Sequence, residues 1–465
     1  MLFRRKDIDA TQGPILKNFI IYAIPLAIGS IIQTLFNAAD MMVLGNFASS
    51  VAVASVGATG NIISLLVNTF IGLSAGTQVI LAQAFGERNR EKIQKTVGTS
   101  LALAVILGIT ITALGLLCAT WFLDITKCPL DCYEGAALYL KMYMLSVPAI
   151  LLYNYGAAII RVSGDTSRPL TYLIISGLLN VVLNFVLCCL LPQKVAAVAL
   201  STLASQILGA VLVIARLFKI ENDCRLSKES IRFDLKILKK ILMIGIPCAL
   251  SSSLYSISNL QIQSAINSFG SSATAANTAA ATVEGWAGSF TGAVGTTTLT
   301  FIGQNIGARN PERIKKIFRM AIILGFIIGL VIGLGLFSIG RPILTLFVGD
   351  NSLAVEYGLI RMQFILAFYF IAGMNSALGT AIQAFGYSFL NMTNSIVSVL
   401  ILRVFWMLFI YPKYETLTCL YFCYTVSWAL IFLINVLLDA IIIPRKLKKM
   451  RCEINTLDAM KKEIS

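Results

Sequence analysis

Long apolar runs separated by short polar intervals organise this chain. Runs of roughly 20 residues or more, enough for a helix to cross a ~30 Å hydrocarbon layer, fall at 17–45, 51–84, 97–123, 136–160, 170–191, 195–218, 241–268, 274–305, 318–340, 356–384, 389–411 and 417–443. They predict an all-α membrane protein with twelve transmembrane helices. Small residues inside the runs, as in Gly72-Leu-Ser-Ala-Gly76 and Gly288-Ser-Phe-Thr-Gly292, let helices approach closely. The strict alternation over about ten residues that marks a membrane β-barrel is not seen.

The polar intervals repeat. Phe85-Gly-Glu-Arg-Asn-Arg-Glu-Lys-Ile-Gln-Lys95 returns as Ile306-Gly-Ala-Arg-Asn-Pro-Glu-Arg-Ile-Lys-Lys316. Ile24-Pro25 matches Ile246-Pro247, Asn37 matches Asn259, Phe47-Ala-Ser-Ser50 matches Phe269-Gly-Ser-Ser272, and Gly164 matches Gly386. The chain therefore reads as a tandem duplication: a first lobe at 1–218, a linker at 219–240, a second lobe at 241–443 and a basic tail at 444–465. Six spans per half is an even number, so the two six-helix lobes should share an orientation and be related by a pseudo-two-fold along the membrane normal. Within the linker, Ile231-Arg-Phe-Asp-Leu-Lys-Ile-Leu-Lys-Lys240 is expected to be a helix lying in the cytoplasmic interface. Pro25 and Pro247 can bend spans 1 and 7 near their cytoplasmic ends.

Composition agrees, with 57% hydrophobic residues, 13% charged residues and a mean hydropathy of +0.82. A net charge of +15 would suit nucleic acid, but the placement of the cations removes that reading. With the N-terminus inside, thirty of the 37 Lys and Arg fall on one side of the bilayer. Six lie on the other, namely Lys127, Lys141, Lys194, Arg341, Arg361 and Lys413, and Arg403 is inside a span. The positive-inside rule then puts both termini of a multi-pass cell-membrane protein in the cytoplasm. Met1-Leu-Phe-Arg-Arg-Lys6 precedes a run too long for a signal peptide, so span 1 is expected to be retained.

There is no histidine. His-based triads, HExxH zinc sites and a histidine proton relay are excluded, so a carried proton must ride on a carboxylate. No phosphate-cradling Gly-Lys-Ser/Thr loop or clustered carboxylate pair is present, which argues against ATP hydrolysis and against an enzyme. The ten cysteines are scattered, without a metal signature or a disulfide framework. Cys128 and Cys132 share an outward loop and are read as two free thiols.

Few ionisable groups sit inside the spans: Asp40, Glu284, Arg403 and, near the cytoplasmic end, Asp439. Each needs a reason, because a charge at the bilayer centre costs about 2.5–3.5 kcal/mol even on the lenient scale. Asp40 lies about eight residues before an outward turn, hence ~12 Å deep. Asn184 and Thr202 come to the same depth, and Asn180 is one turn deeper on the face of Asn184. Together they form an oxygen-ligand set for Na⁺ or H⁺, or else interhelical hydrogen-bonding glue. Glu284 is near the midplane, and Arg403 is expected to pair with it.

Asp40 in Leu35-Phe-Asn-Ala-Ala-Asp-Met-Met-Val-Leu-Gly45, Gln83 to Lys95, Arg161-Val-Ser-Gly-Asp-Thr-Ser-Arg-Pro169, Asn180-Val-Val-Leu-Asn184 and Gln304-Asn-Ile-Gly-Ala308 resemble the multidrug and toxic compound extrusion (MATE) transporters. The likeness covers nearly the whole chain. It implies antiport, with inward Na⁺ or H⁺ driving amphiphilic, often cationic, compounds outward. It also implies an ion-coupling site at Asp40, Asn180 and Thr202. At Asn184 the chain departs from relatives that carry a second aspartate, which leaves the site at formal −1.

No cofactor is expected beyond the coupling ion. The expected partners are small drug-like or metabolite molecules and the lipid bilayer, with the chain acting as a monomer. Candidates for the substrate cleft are Phe36, Met41, Tyr153, Tyr155, Trp286, Phe364, Phe368 and Met374, which offer apolar and aromatic walls. A lipid-linked precursor flippase and a membrane-embedded enzyme are the alternatives; the extra spans and cationic cleft that would favour the flippase are not apparent.

Overall fold

The computed structural model describes residues 8–126, 128–227, 233–349 and 351–464. The apolar runs become α1 (Ile15–Phe47), α2 (Ser50–Gly86), α3 (Arg90–Ile125), α4 (Leu130–Val162), α5 (Ser167–Leu190), α6 (Lys194–Lys219) and α7 (Leu235–Asn267). They continue as α8 (Ser271–Gly307), α9 (Pro311–Ser338), α10 (Gly340–Val348), α11 (Ser352–Ile365), α12 (Tyr369–Ala384), α13 (Ser388–Tyr414) and α14 (Leu417–Ile464). Met1 to Lys6, Lys127, Ile231 and Arg232 lie outside the described residues.

Among the described residues ten helices are individually long and apolar enough to cross a membrane. α11 and α12, bent by 45°, make an eleventh together over the run expected at 356–384. α8 occupies the remaining expected position with 37 residues, but Ser, Thr and Asn along it keep it outside that apolar set. The expected interfacial helix takes a different form. From Leu235 onward it is already the first turns of α7, capped by Asp234, whose carboxylate accepts from Lys236 N at 2.8 Å and Ile237 N at 3.1 Å.

The duplicated stretch has a physical purpose. After Gly86, Arg88 adopts a left-handed φ of 53°, and the Asn89 side chain then caps α3 by accepting from Lys92 N at 3.0 Å. After Gly307, Arg309 adopts φ 52°, and Asn310 caps α9 by accepting from Arg313 N at 3.0 Å. Left-handed conformations are costly for residues with a Cβ, yet both copies use one to reverse direction between consecutive helices.

The chain divides into two compact units. The first contains Ile28–Leu81 and Asn89–Gly245; the second contains Ala10–Ala27, Ala82–Arg88 and the chain from Ile246. The start of α1 thus belongs with the second unit and the start of α7 with the first. Within the second unit, Ala10 N donates to Gln304 Oε1 at 3.0 Å, Arg313 Nε donates to Ala10 O at 2.8 Å, and Phe19 and Tyr22 each pack edge-on to Phe301 at 5.4 Å. The end of α2 and the end of α8 also meet there. A Cβ on Gly86 would strike the Gln304 carbonyl, and one on Gly307 the Gln83 carbonyl.

Candidate ion and substrate site

In the first unit, α1, α2, α4, α5 and α6 surround a cavity of about 540 Å³ lined by Asp40, Asn180 and Thr202 together with Phe36, Tyr139, Tyr143 and Tyr153. Three of the four sequence candidates are in direct contact. Asn184, fully buried, donates through Nδ2 to Asp40 Oδ1 at 2.5 Å and reaches Asn180 Oδ1 at 3.4 Å. Its own Oδ1 has no hydrogen-bond partner. Thr202 donates its hydroxyl back to Val198 O at 3.0 Å and interacts with Tyr139. No cationic side chain among the described residues compensates Asp40. A carboxylate with one amide donor and an unused amide oxygen nearby can accept a monovalent cation without displacing a fixed countercharge.

The cleft candidates separate. Phe36, Met41 and Tyr153 line this cavity; Phe36 lies against Gly177, where no Cβ would fit. Tyr155 is fully buried and its hydroxyl makes no hydrogen bond. Trp286 and Phe364 pack against the apolar core of the second unit. Phe368 is exposed and packs on Phe370 at 6.3 Å, and Met374 is half-buried. Gln33, Asn68, Asn154 and Gln206 also line the cavity and were not singled out from sequence. Each is a polar residue within an apolar run, but none lies at the depth of Asp40 that grouped Asn184 and Thr202.

The second unit overturns one expected pairing. Glu284 is bound by Arg361, not Arg403: Arg361 Nη2 donates to Glu284 Oε2 at 2.5 Å and Nη1 to Asn277 Oδ1 at 2.5 Å. Arg361, assigned from sequence to the outward surface, is buried on α11, which packs against α8. Arg403 is 1% exposed and finds neutral partners instead: Asn259 Oδ1 at 2.9 Å, Ser427 Oγ at 3.2 Å, Ser258 Oγ at 3.4 Å and the Tyr424 ring at 4.3 Å. Two π-helical stretches, Ile396–Ile401 and Trp406–Ile410, bracket it. The extra residue per turn shifts side chains off the α-helical register. Sequence depth carried neither fact, because a guanidinium can be satisfied by oxygens and π faces that bear no charge.

Cys128 and Cys132 are free, with Sγ atoms 3.8 Å apart. No cluster of metal-ligating side chains is found among the described residues.

Known proteins resemble this chain in sequence and fold. The chain is 25% identical over 379 residues to the probable multidrug resistance protein YoeA of Bacillus subtilis, covering 80% of this chain and 81% of the relative. It is 24% identical over 389 residues to the probable multidrug resistance protein NorM of Thermotoga maritima, covering 82% and 83%. Its fold matches a solved outward-facing multidrug resistance MATE family transporter of the MOP superfamily, with a TM-score of 0.88, 23% identity, and coverage of 96% of this chain and 99% of that one. The pattern of the MatE family matches residues 25–186 and 247–408, one copy in each half, so the chain belongs to the MatE family, whose members are transporters and not enzymes.

Proposed function

We propose that this protein exports amphiphilic, often cationic, small molecules from the cell by alternating access, in exchange for a monovalent cation, Na⁺ or H⁺, bound at Asp40. In this reading the lobes at 1–218 and 241–443 rock about the bilayer as a monomer, and both termini face the cytoplasm of a cell-membrane protein. Relatives named as multidrug resistance proteins support the substrate class. The observation that carries the site is the Asp40–Asn184–Asn180 chain on the wall of a cavity also lined by Phe36, Tyr139, Tyr143 and Tyr153.

The geometry supports a simple exchange. A cationic substrate is drawn to the Asp40 carboxylate and to the π faces around it, in a cavity of ordinary small-molecule size. A coupling cation that lands on Asp40 cancels the negative charge, so the substrate loses its main electrostatic hold. Linkage requires the reverse as well: bound substrate weakens the coupling cation by the same factor. Thr202 and the free Oδ1 of Asn184 supply the additional oxygens.

Substrate-stimulated ion flux in proteoliposomes, with Na⁺ and H⁺ gradients imposed separately on wild type and Asp40→Asn, tests this. One gradient should drive export in wild type and not in the variant. Export that neither gradient drives, or a variant indistinguishable from wild type, would refute the mechanism.

A further inference from the structure

We propose that Asp439, in the second unit, is a proton-binding site separate from the Asp40 cavity. It lies on α14, is 4% exposed, and neither carboxylate oxygen has a hydrogen-bond partner. An isolated ionised carboxylate buried in this way costs far more than its neutral acid, so the site is completed by taking up a proton.

The surroundings favour H⁺ over Na⁺. α13 and α14 run antiparallel, as shown by the pairs Trp406 with Cys419, Arg403 with Ser427 and Asn394 with Asn435. Asn435 is one turn from Asp439 on the same face, and its Oδ1 already accepts from Asn394 at 2.8 Å. The Oδ1 of Asn394 is likewise taken, by Ser398 at 2.9 Å. Each of these two amide oxygens thus already accepts a hydrogen bond, whereas neither Asp439 oxygen does. Continuing the two helices at 1.5 Å per residue brings Leu390 and Asn391 to the level of Asp439, with the buried Ser388 about one turn away.

Among the described residues no charged side chain is paired with Asp439. Arg403 on α13 is bound at Ser427, roughly 18 Å along α14, and Arg361 on α11 lies farther, against Tyr421 and Tyr424. Tyr369 on α12 packs on Trp428, also distant, and Arg319 on α9 is exposed. The nearest cations on α14 itself are Arg445 and Lys446, about 9 and about 10 Å on; Arg445 is exposed, and the Nζ of Lys446 sits 5.0 Å over the Tyr387 ring just before α13.

Infrared spectroscopy of the purified, reconstituted protein near neutral pH reads the C=O stretch of protonated carboxylic side chains. Asp439→Asn should lose one band that persists in Asp40→Asn, and Asp439→Glu should restore a shifted one. A wild-type set of bands retained in Asp439→Asn would overturn the proposal. So would a Na⁺-specific rise in thermal midpoint, against choline at equal ionic strength, that disappears in Asp439→Asn and not in Asp40→Asn. The spectrum requires no transport, so its result stands or falls apart from antiport at Asp40.

Discussion

Arg403 stacks on Tyr424 with its guanidinium carbon 4.3 Å from the ring centroid, and Arg361 lies 5.4 Å from the same ring. Two buried cations thus approach one tyrosine, and among the described residues only Arg361 of the two has a carboxylate partner. The ring's negative face and the neutral oxygens of Asn259, Ser258 and Ser427 do for Arg403 what Glu284 does for Arg361.

Removing one side of the Arg361–Glu284 pair should be expensive. Arg361→Ala leaves Glu284 facing a cavity and is expected to cost about 3–5 kcal/mol. Arg361→Met combined with Glu284→Gln, which removes both charges, should recover much of that. Detergent-solubilised thermal unfolding measures the difference. Equal loss in the single and double variants would show that the charges are not the cause. Glu284→Gln expressed at wild-type levels but inactive would add a transport role to this structural one.

Asn184 is the position that sets the charge of the proposed ion site. Asn184→Asp places a second carboxylate within hydrogen-bond reach of Asp40, so Na⁺ binding should tighten and the Na⁺ dependence of transport in proteoliposomes should steepen. An unchanged Na⁺ dependence would count against placing the ion here. Asn184→Ala, which removes the donor to Asp40, should weaken coupling without emptying the cavity.

The contact between the ends of α2 and α8 tolerates no side chain. Gly86→Ala and Gly307→Ala each force a Cβ into an opposing backbone carbonyl, and overpacking of this kind costs about 1–3 kcal/mol or more. Gly292→Ala, an exposed helical position with no atom within 4 Å of the added carbon, should stabilise by up to ~1 kcal/mol through helix propensity. Folded yield by size-exclusion chromatography and thermal midpoints should rank the three accordingly.

Asp234 makes the start of α7 sensitive to acid. The backbone N–H of Ile237, with that of Lys236, holds its carboxyl below the ordinary aspartate value of 3.8. The group therefore contributes stability above the unfolded value, and loses it as pH falls through the lower folded one. Asp234→Asn keeps a cap and should flatten that acid limb, while Asp234→Ala should lower stability at neutral pH. Thermal midpoints across acidic pH check both.

The apolar runs and the repeat determined a great deal by themselves. Helix existence followed from run length, and the left-handed turns at Arg88 and Arg309 followed one repeated motif to within a degree. The fixed rise of a helix places Asp40, Asn180, Asn184 and Thr202 at neighbouring heights along their helices, which is why the residues of the proposed site could be grouped from sequence. Depth is only one coordinate. Which way a side chain points around its helix, and which neighbour it meets, depends on how helices pack and where π turns shift the register. Only the tertiary structure could therefore give Glu284 to Arg361, leave Arg403 among neutral partners, group the start of α1 with the second unit, and leave both Asp439 oxygens without a partner.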